Sequence, residues 1–116
     1  VYHLDHQAKT YFETEMNRGF LQILALALLD KDAYGYAMVR AVRELGYDLE
    51  ENTLYPLLRR LEKNGWIKSR WDVSEDRPRK FYAITDRGRS LRAALVAVWK
   101  KQDDVLRRVL KEKRHV

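Results

Sequence analysis

The sequence predicts a mainly α fold with a β-hairpin: a winged helix-turn-helix plus a long C-terminal dimerisation helix. Three observations carry that expectation. Between residues 8 and 66, apolar residues recur at helical spacing in three runs separated by short polar breaks. From Trp66 to Thr85 the period falls to two, which marks strands. From Asp86 the helical period returns and continues toward the end of the chain, as an apolar stripe that nothing later in the sequence covers. The chain divides accordingly into a winged helix-turn-helix unit over 1–85 and a dimerisation helix over 86–116, together one compact body.

The elements follow in order. Val1 to Gln7 is polar and carries His3 and His6. A third ligand is missing, so both histidines are expected in solvent, and neither a metal site nor a cofactor is expected. Ala8 to Leu29 reads as the first helix, with Phe12, Met16, Phe20, Ile23, Leu24, Ala27 and Leu28 along one stripe. That stripe is expected to serve as core and subunit interface. Gly19 lowers helix propensity there by about 1 kcal/mol relative to Ala; a close helix crossing and simple tolerance both account for it. The longest apolar run, Phe20 to Leu29, falls short of the roughly 20 residues a bilayer span needs. No secretory signal is read, because an acidic, amide-rich segment precedes that run.

Asp30-Lys31-Asp32 breaks the first helix, and either Asp is a candidate cap for the second, Tyr34 to Leu45. Tyr36, Val39, Ala41 and Val42 should supply its apolar contacts, and Gly46 should end it. Gly35 suggests a close backbone approach, with Tyr34 and Tyr36 clamping the helix-turn-helix. Leu49 is the expected anchor of the connector. The third helix lies within Asn52 to Trp66. Asn52 is its expected N-cap, Pro56 its first turn, Leu54, Leu57, Leu58 and Leu61 its apolar face, and Gly65 its end. Ile67, Ser69 and Trp71 then alternate with Lys68, Arg70 and Asp72; Lys80, Tyr82 and Ile84 alternate with Phe81, Ala83 and Thr85. Between them Val73 to Arg79 forms a mobile, partly basic hairpin tip. Thr85-Asp86 caps the last helix, and Gly88 points to close packing against the hairpin. Leu91, Leu95, Val98, Gln102, Val105 and Val109 continue one stripe, widened by Ala94, Leu106 and Leu110. The basic tail from Lys111 suits the C-terminal end of the helix dipole and is expected to fray.

Composition narrows the function. Lys and Arg number 23 against 17 Asp and Glu, a net charge of +6. That balance favours nucleic acid first and an anionic membrane second. With no cysteine, disulfides, thiolate metal sites and cysteine nucleophiles are excluded, and a cytoplasmic protein is expected. No phosphate loop and no nucleophile, base and acid constellation appears, so no enzyme is expected. In a winged helix-turn-helix, the third helix enters the major groove and the wing meets the backbone or minor groove. The expected DNA contacts on the third helix are Arg59 and, with Asn52 beside them, Thr53 and Tyr55. Arg60 and Lys63 are weaker candidates. On the wing they are Arg77, Arg79 and Lys80. Lys and Arg there release counterions from phosphates. Tyr55 has two readings: a phosphate or base-edge contact, and packing against the preceding helix.

The run Gly19 to Leu29, Tyr34-Gly35-Tyr36, and Thr53-Leu54-Tyr55-Pro56-Leu57-Leu58-Arg59-Arg60-Leu61-Glu62 resembles the PadR family of transcriptional regulators. Arg79-Lys80-Phe81-Tyr82, Ile84-Thr85, Gly88-Arg89 and Trp99 continue the pattern. The single C-terminal helix resembles the smaller subfamily. The resemblance implies a homodimeric repressor on a palindromic operator in double-stranded DNA, with Tyr36 added to the DNA contacts. It also implies that Trp99 faces its dimer mate and that the pair sandwiches a small aromatic effector. Met16, Gly19, Phe20 and Asp103 are the other expected liners, with Asp103 balancing a cationic compound. The plainer reading is that Trp99 fills the interface; Val96 is smaller than the aromatic residue that stands beside that Trp in some relatives. Two other functions stay open: a small-molecule-binding or scaffold dimer using the winged helix for protein contacts, and a non-specific architectural DNA binder.

Overall fold

The computed structural model describes residues 5–112, so His3 and the tail beyond Glu112 lie outside the described residues. Asp5 starts the first helix. Its carboxylate accepts hydrogen bonds from the backbone N–H groups of Gln7 (2.9 Å) and Ala8 (3.1 Å), and α1 runs His6–Leu28, two residues earlier than expected. Aspartate favours this position because it satisfies donors that the first turn leaves unpaired.

Asp30 and Asp32 do not cap the second helix. Asp30 pairs with Arg92 and Asp32 with Arg70. Instead Ala33–Tyr34 forms a short strand, β1, and α2 (Gly35–Glu44) begins from the backbone of Tyr34 with no side-chain cap. A two-residue strand is too short to register as an alternation, so the sequence pattern shows only the hairpin. Gly46 ends α2 at φ +90°, and the connector is held from three sides. Leu49 is buried, Arg43 Nε donates to its carbonyl (3.0 Å), and the Tyr47 hydroxyl donates to Asn17 Oδ1 of α1 (2.7 Å).

The third helix, α3, runs Glu51–Lys63. It starts from Glu50, whose carbonyl accepts from the N–H groups of Thr53 and Leu54 (both 3.0 Å). Asn52 is therefore in the first turn rather than at the cap. The Glu51 carboxylate favours this earlier start by complementing the positive end of the helix dipole. Pro56 consequently sits inside the helix, not in its first turn. Its missing N–H leaves the Asn52 carbonyl free on an exposed face, where water can take it.

The hairpin is part of a three-stranded antiparallel sheet in the order β1-β3-β2, with β2 Ile67–Asp72 and β3 Arg79–Ile84. Ile67 stands opposite Ile84, Ser69 opposite Tyr82, and Trp71 opposite Lys80. Directly opposed residues share a face. That face is buried at Ile67 and Ile84, but Trp71 is 64% exposed because the wing has left the body by then. The core collects Ala25 and Leu26 of α1, Leu29 just past its end, Met38, Val39 and Val42 of α2, the four leucines of α3, and the root of the wing.

The last helix, α4, runs Asp86–Glu112. Thr85 Oγ1 accepts from the Gly88 N–H (3.1 Å) and donates to the Gly65 carbonyl (2.7 Å), so one hydroxyl caps α4 and ties it to the end of α3. Gly88 is buried against the wing root. A Cβ there would lie 2.0 Å from the Trp66 carbonyl oxygen and 2.7 Å from Ile84 Cγ1. α4 packs against α1, with Leu91 and Leu95 beside Leu21, Leu24 and Leu28 at the edge of the core. Beyond Leu95 the stripe emerges into solvent: Val98, Val105, Leu106, Val109 and Leu110 are all exposed, as are Tyr11, Phe12 and Met16 of α1. Among the described residues, no helix is long and apolar enough to cross a membrane.

Candidate nucleic-acid interface

Burial of one face of α3 dictates what the other presents. Leu54, Leu57, Leu58 and Leu61 are buried, which turns Asn52, Thr53, Pro56, Arg59, Arg60 and Lys63 outward. Beside that exposed face, a cleft of about 480 Å³ opens between the start of α2, α3 and the wing. Its walls are Tyr34, Gly35, Tyr36, Tyr55, Arg77, Pro78, Arg79, Lys80 and Tyr82. Tyr36, Tyr55, Arg77, Arg79 and Lys80, expected from sequence as DNA contacts, thus share one cleft. Asn52, Thr53 and Arg59 remain on the open face of α3.

The cations are not equivalent. Lys80 Nζ lies 3.6 Å from Glu62 Oε1, and Glu62 also accepts from the Ser69 hydroxyl, so part of the Lys80 charge is compensated inside the protein. Among the described residues, no carboxylate lies within ion-pair reach of Arg59, Arg77 or Arg79. Arg79 sits over the Tyr34 ring, 5.2 Å from its centroid, and Arg40 lies 5.8 Å from that of Tyr36. Arg40 and the exposed Trp71 were not singled out from sequence. Arg40 sits at no motif position, and Trp71 reads from its alternation as an ordinary inward strand residue.

The tyrosines divide their work differently from the expected clamp. Tyr36 is 57% exposed and holds nothing across the helix-turn-helix; Ala41 is exposed too, and Met38 takes the buried place on α2. Tyr55 makes the close approach instead. A Cβ on Gly35 would stand 2.6 Å from its ring, so glycine at 35 is what lets α3 seat against the start of α2. The packing reading of Tyr55 is thus realised, while the ring still lines the cleft. Burial raises the Tyr55 and Tyr82 hydroxyls above the ordinary tyrosine value, with nearby carboxylates adding to the effect. Both remain neutral donors near pH 7. Tyr34 turns to the wing, where its hydroxyl donates to Asp72 Oδ2 (3.0 Å) and its ring stacks on Phe81 at 3.8 Å. Ser74, through its hydroxyl and its amide, and then Tyr34 hold the Asp72 carboxyl below the usual carboxylate range.

The residues expected around an effector lie on α1 and α4. Met16 is fully open, Gly19 has no neighbour where a side chain would stand, and the Phe20 ring leans on Tyr47 with centroids 5.4 Å apart. Trp99 is 48% exposed on the outer part of α4. The Asp103 carboxylate is engaged by Arg107 one turn on, at 2.8 Å.

A helix-turn-helix seated on a short sheet, with a basic wing beside the exposed face of α3, defines a winged-helix DNA-binding regulator. Residues 23–94 match the "Transcriptional regulator PadR-like family", and the chain belongs to that family of non-enzymatic regulators. The chain is similar to a PadR family transcriptional regulator from Eggerthella lenta: 38% identity, TM-score 0.81, covering 90% of this chain and 93% of that one. A PadR family regulator from Clostridium difficile is 32% identical with a TM-score of 0.73, covering 78% of this chain and 98% of that one. Transcriptional regulator Rv3488 of Mycobacterium tuberculosis is 33% identical over 86 residues, 74% of this chain and 78% of that protein.

Proposed function

We propose that this protein is a homodimeric, sequence-specific transcriptional repressor of the cytoplasm that reads a palindromic site in duplex DNA. The observation that carries the DNA reading is the trio of unpaired guanidiniums, Arg59, Arg77 and Arg79, on α3 and the adjoining wing. A folded protein gains little from leaving Arg77 and Arg79 in the cleft and Arg59 on the adjoining face of α3 without carboxylate partners, whereas a phosphate backbone supplies the missing charge. In this reading Arg77, Arg79 and Lys80 hold the backbone, Tyr36 and Tyr55 flank it, and Asn52, Thr53 and Arg59 face base edges and phosphates in the groove.

Surface area supports the dimer. The chain exposes 9518 Å², whereas a compact monomer of 13.9 kDa exposes about 6,700 Å². α1 and α4 present apolar side chains to solvent, and a second copy is the simplest cover. Trp99 favours an added control. A half-exposed indole beside Val98 on that face offers a rigid stacking surface to a planar aromatic compound between subunits, with Met16, Gly19, Phe20 and Asp103 as further liners. Such a compound would release DNA if it bound the non-reading arrangement of the dimer better than the reading one.

The test is titration of a duplex from upstream of the protein's own gene against a scrambled duplex, at several salt concentrations. The expected result is tighter binding to the upstream duplex, with log affinity falling against log salt by about 0.9 per phosphate contacted. Equal affinity for both duplexes would make the protein an architectural binder. No affinity for either would leave a scaffold or small-molecule-binding dimer.

A further inference from the structure

Tyr34 is outside the set of residues expected to touch DNA, yet both ends of the wing loop converge on it. Its backbone pairs with β3 opposite Phe81, and the two rings stack with an interplanar angle of 30°. Its hydroxyl donates to Oδ2 of Asp72, the last residue of β2. The other oxygen of that carboxylate accepts from the Ser74 amide (3.0 Å) and hydroxyl (2.6 Å), which shapes the first turn of the loop. Arg79, opposite Asp72 in register and first residue of β3, places its guanidinium over the Tyr34 ring. On its other side Tyr34 is the residue from which α2 starts, and the next residue, Gly35, is the seat of Tyr55 from α3. One side chain therefore fastens residues 72 and 79, the two ends of the loop, to the beginning of the helix-turn-helix.

We propose that Tyr34 is the positioning residue that sets the wing relative to α3, acting through Asp72 and Arg79 and not by touching DNA. The physical reason is distance. Arg77 and Arg79 can meet phosphates while α3 occupies the groove only if the wing keeps a fixed separation from α3. The hairpin projects past the core, and β1 offers β3 only two paired residues. The hydroxyl–carboxylate bond and the two ring contacts add the restraint that this short strand lacks. The consequence for DNA rests on the regulator reading above; the restraint of the wing does not.

The experiment compares wild type, Tyr34→Phe, the pair Arg77→Ala with Arg79→Ala, and the triple variant in the full chain. Tyr34→Phe keeps the stack and the cation–π contact and removes only the hydroxyl. Amide exchange at residues 73–77 and 79 should quicken about threefold to tenfold, with the urea midpoint falling only by the small amount that this loss implies. DNA affinity should fall by a similar factor of about three to ten. Adding Tyr34→Phe to that arginine pair should weaken DNA binding little further, because Tyr34 acts through the wing. Unchanged exchange in the wing loop would overturn the proposal. So would an affinity loss as large in the background of Arg77→Ala with Arg79→Ala as in wild type, because Tyr34 would then touch DNA itself. If the urea midpoint falls further than that, Asp72→Ala tests the wing from the acceptor side, where the Ser74 bonds are lost as well. If wild type binds no DNA, the regulator reading fails, while the exchange result still decides whether Tyr34 holds the wing.

Discussion

At the scale of single residues, two glycines and one hydroxyl place the reading surface. Gly88 lets the start of α4 lie against the Trp66 carbonyl. Because the atom a Cβ would meet is backbone, the neighbour cannot swing aside. Gly88→Ala is expected to destabilise the fold by about 3 kcal/mol in urea unfolding; a change under about 1 kcal/mol would show that the wing root yields freely. Gly35 differs, because what it admits is the Tyr55 ring, a side chain that belongs to the cleft. Both glycines are legible as unusual in the sequence, since each interrupts or opens a helical run. What each one touches is not legible, because Trp66 lies 22 residues before Gly88 and Tyr55 lies 20 after Gly35. The Tyr34–Asp72 bond spans 38 residues and leaves no periodic trace at all.

At the scale of elements, periodicity locates every helix and both long strands, and local chemistry decides their ends. The Thr85 cap of α4 was legible in the sequence, whereas the Asp5 cap of α1 was not, and that helix starts two residues earlier than expected. Where a start depended on backbone and charge, as with Glu50 and Glu51, it moved upstream and took Pro56 into the helix. The strand Ala33–Tyr34 exists because β3 has an open edge beside it, a tertiary cause that two residues cannot advertise. The wing also carries a pH dependence. The Asp72 carboxyl is held below its usual range by the Ser74 donors and the Tyr34 hydroxyl. A depressed folded-state value means the restraint is fully present above the ordinary carboxylate value. It is lost as pH falls through the lowered one. The Ser74 amide resonance, followed by NMR, is expected to titrate with a midpoint below that of an unperturbed aspartate. A midpoint at or above the ordinary value would show that the carboxylate does not hold the turn.

At the scale of the whole molecule, the chain is longer and more open than a self-sufficient domain. Its radius of gyration is 17.4 Å, against about 13 Å for a compact chain of this length. The cause is visible in α4, which as a 27-residue helix measures ~40 Å at 1.5 Å per residue. That length, and the apolar stripe on it, were readable from sequence; how a second copy would sit on it was not, because one chain's pattern does not encode a relative angle. Placing Asp at Val105 and Val109 together is expected to leave the winged-helix core folded while sedimentation shifts to a monomer and DNA affinity falls at least about a hundredfold. An unchanged dimer would move the interface off the outer part of α4.

In the proposed complex, two copies of α3 read neighbouring turns of one duplex. Hydroxyl-radical footprinting of the upstream DNA tests it most directly. Two protected tracts of equal strength are expected, with centres about 34 Å or roughly one helical turn apart. Arg77→Ala with Arg79→Ala should weaken both tracts together. A single protected tract, or uniform protection along the duplex, would contradict it.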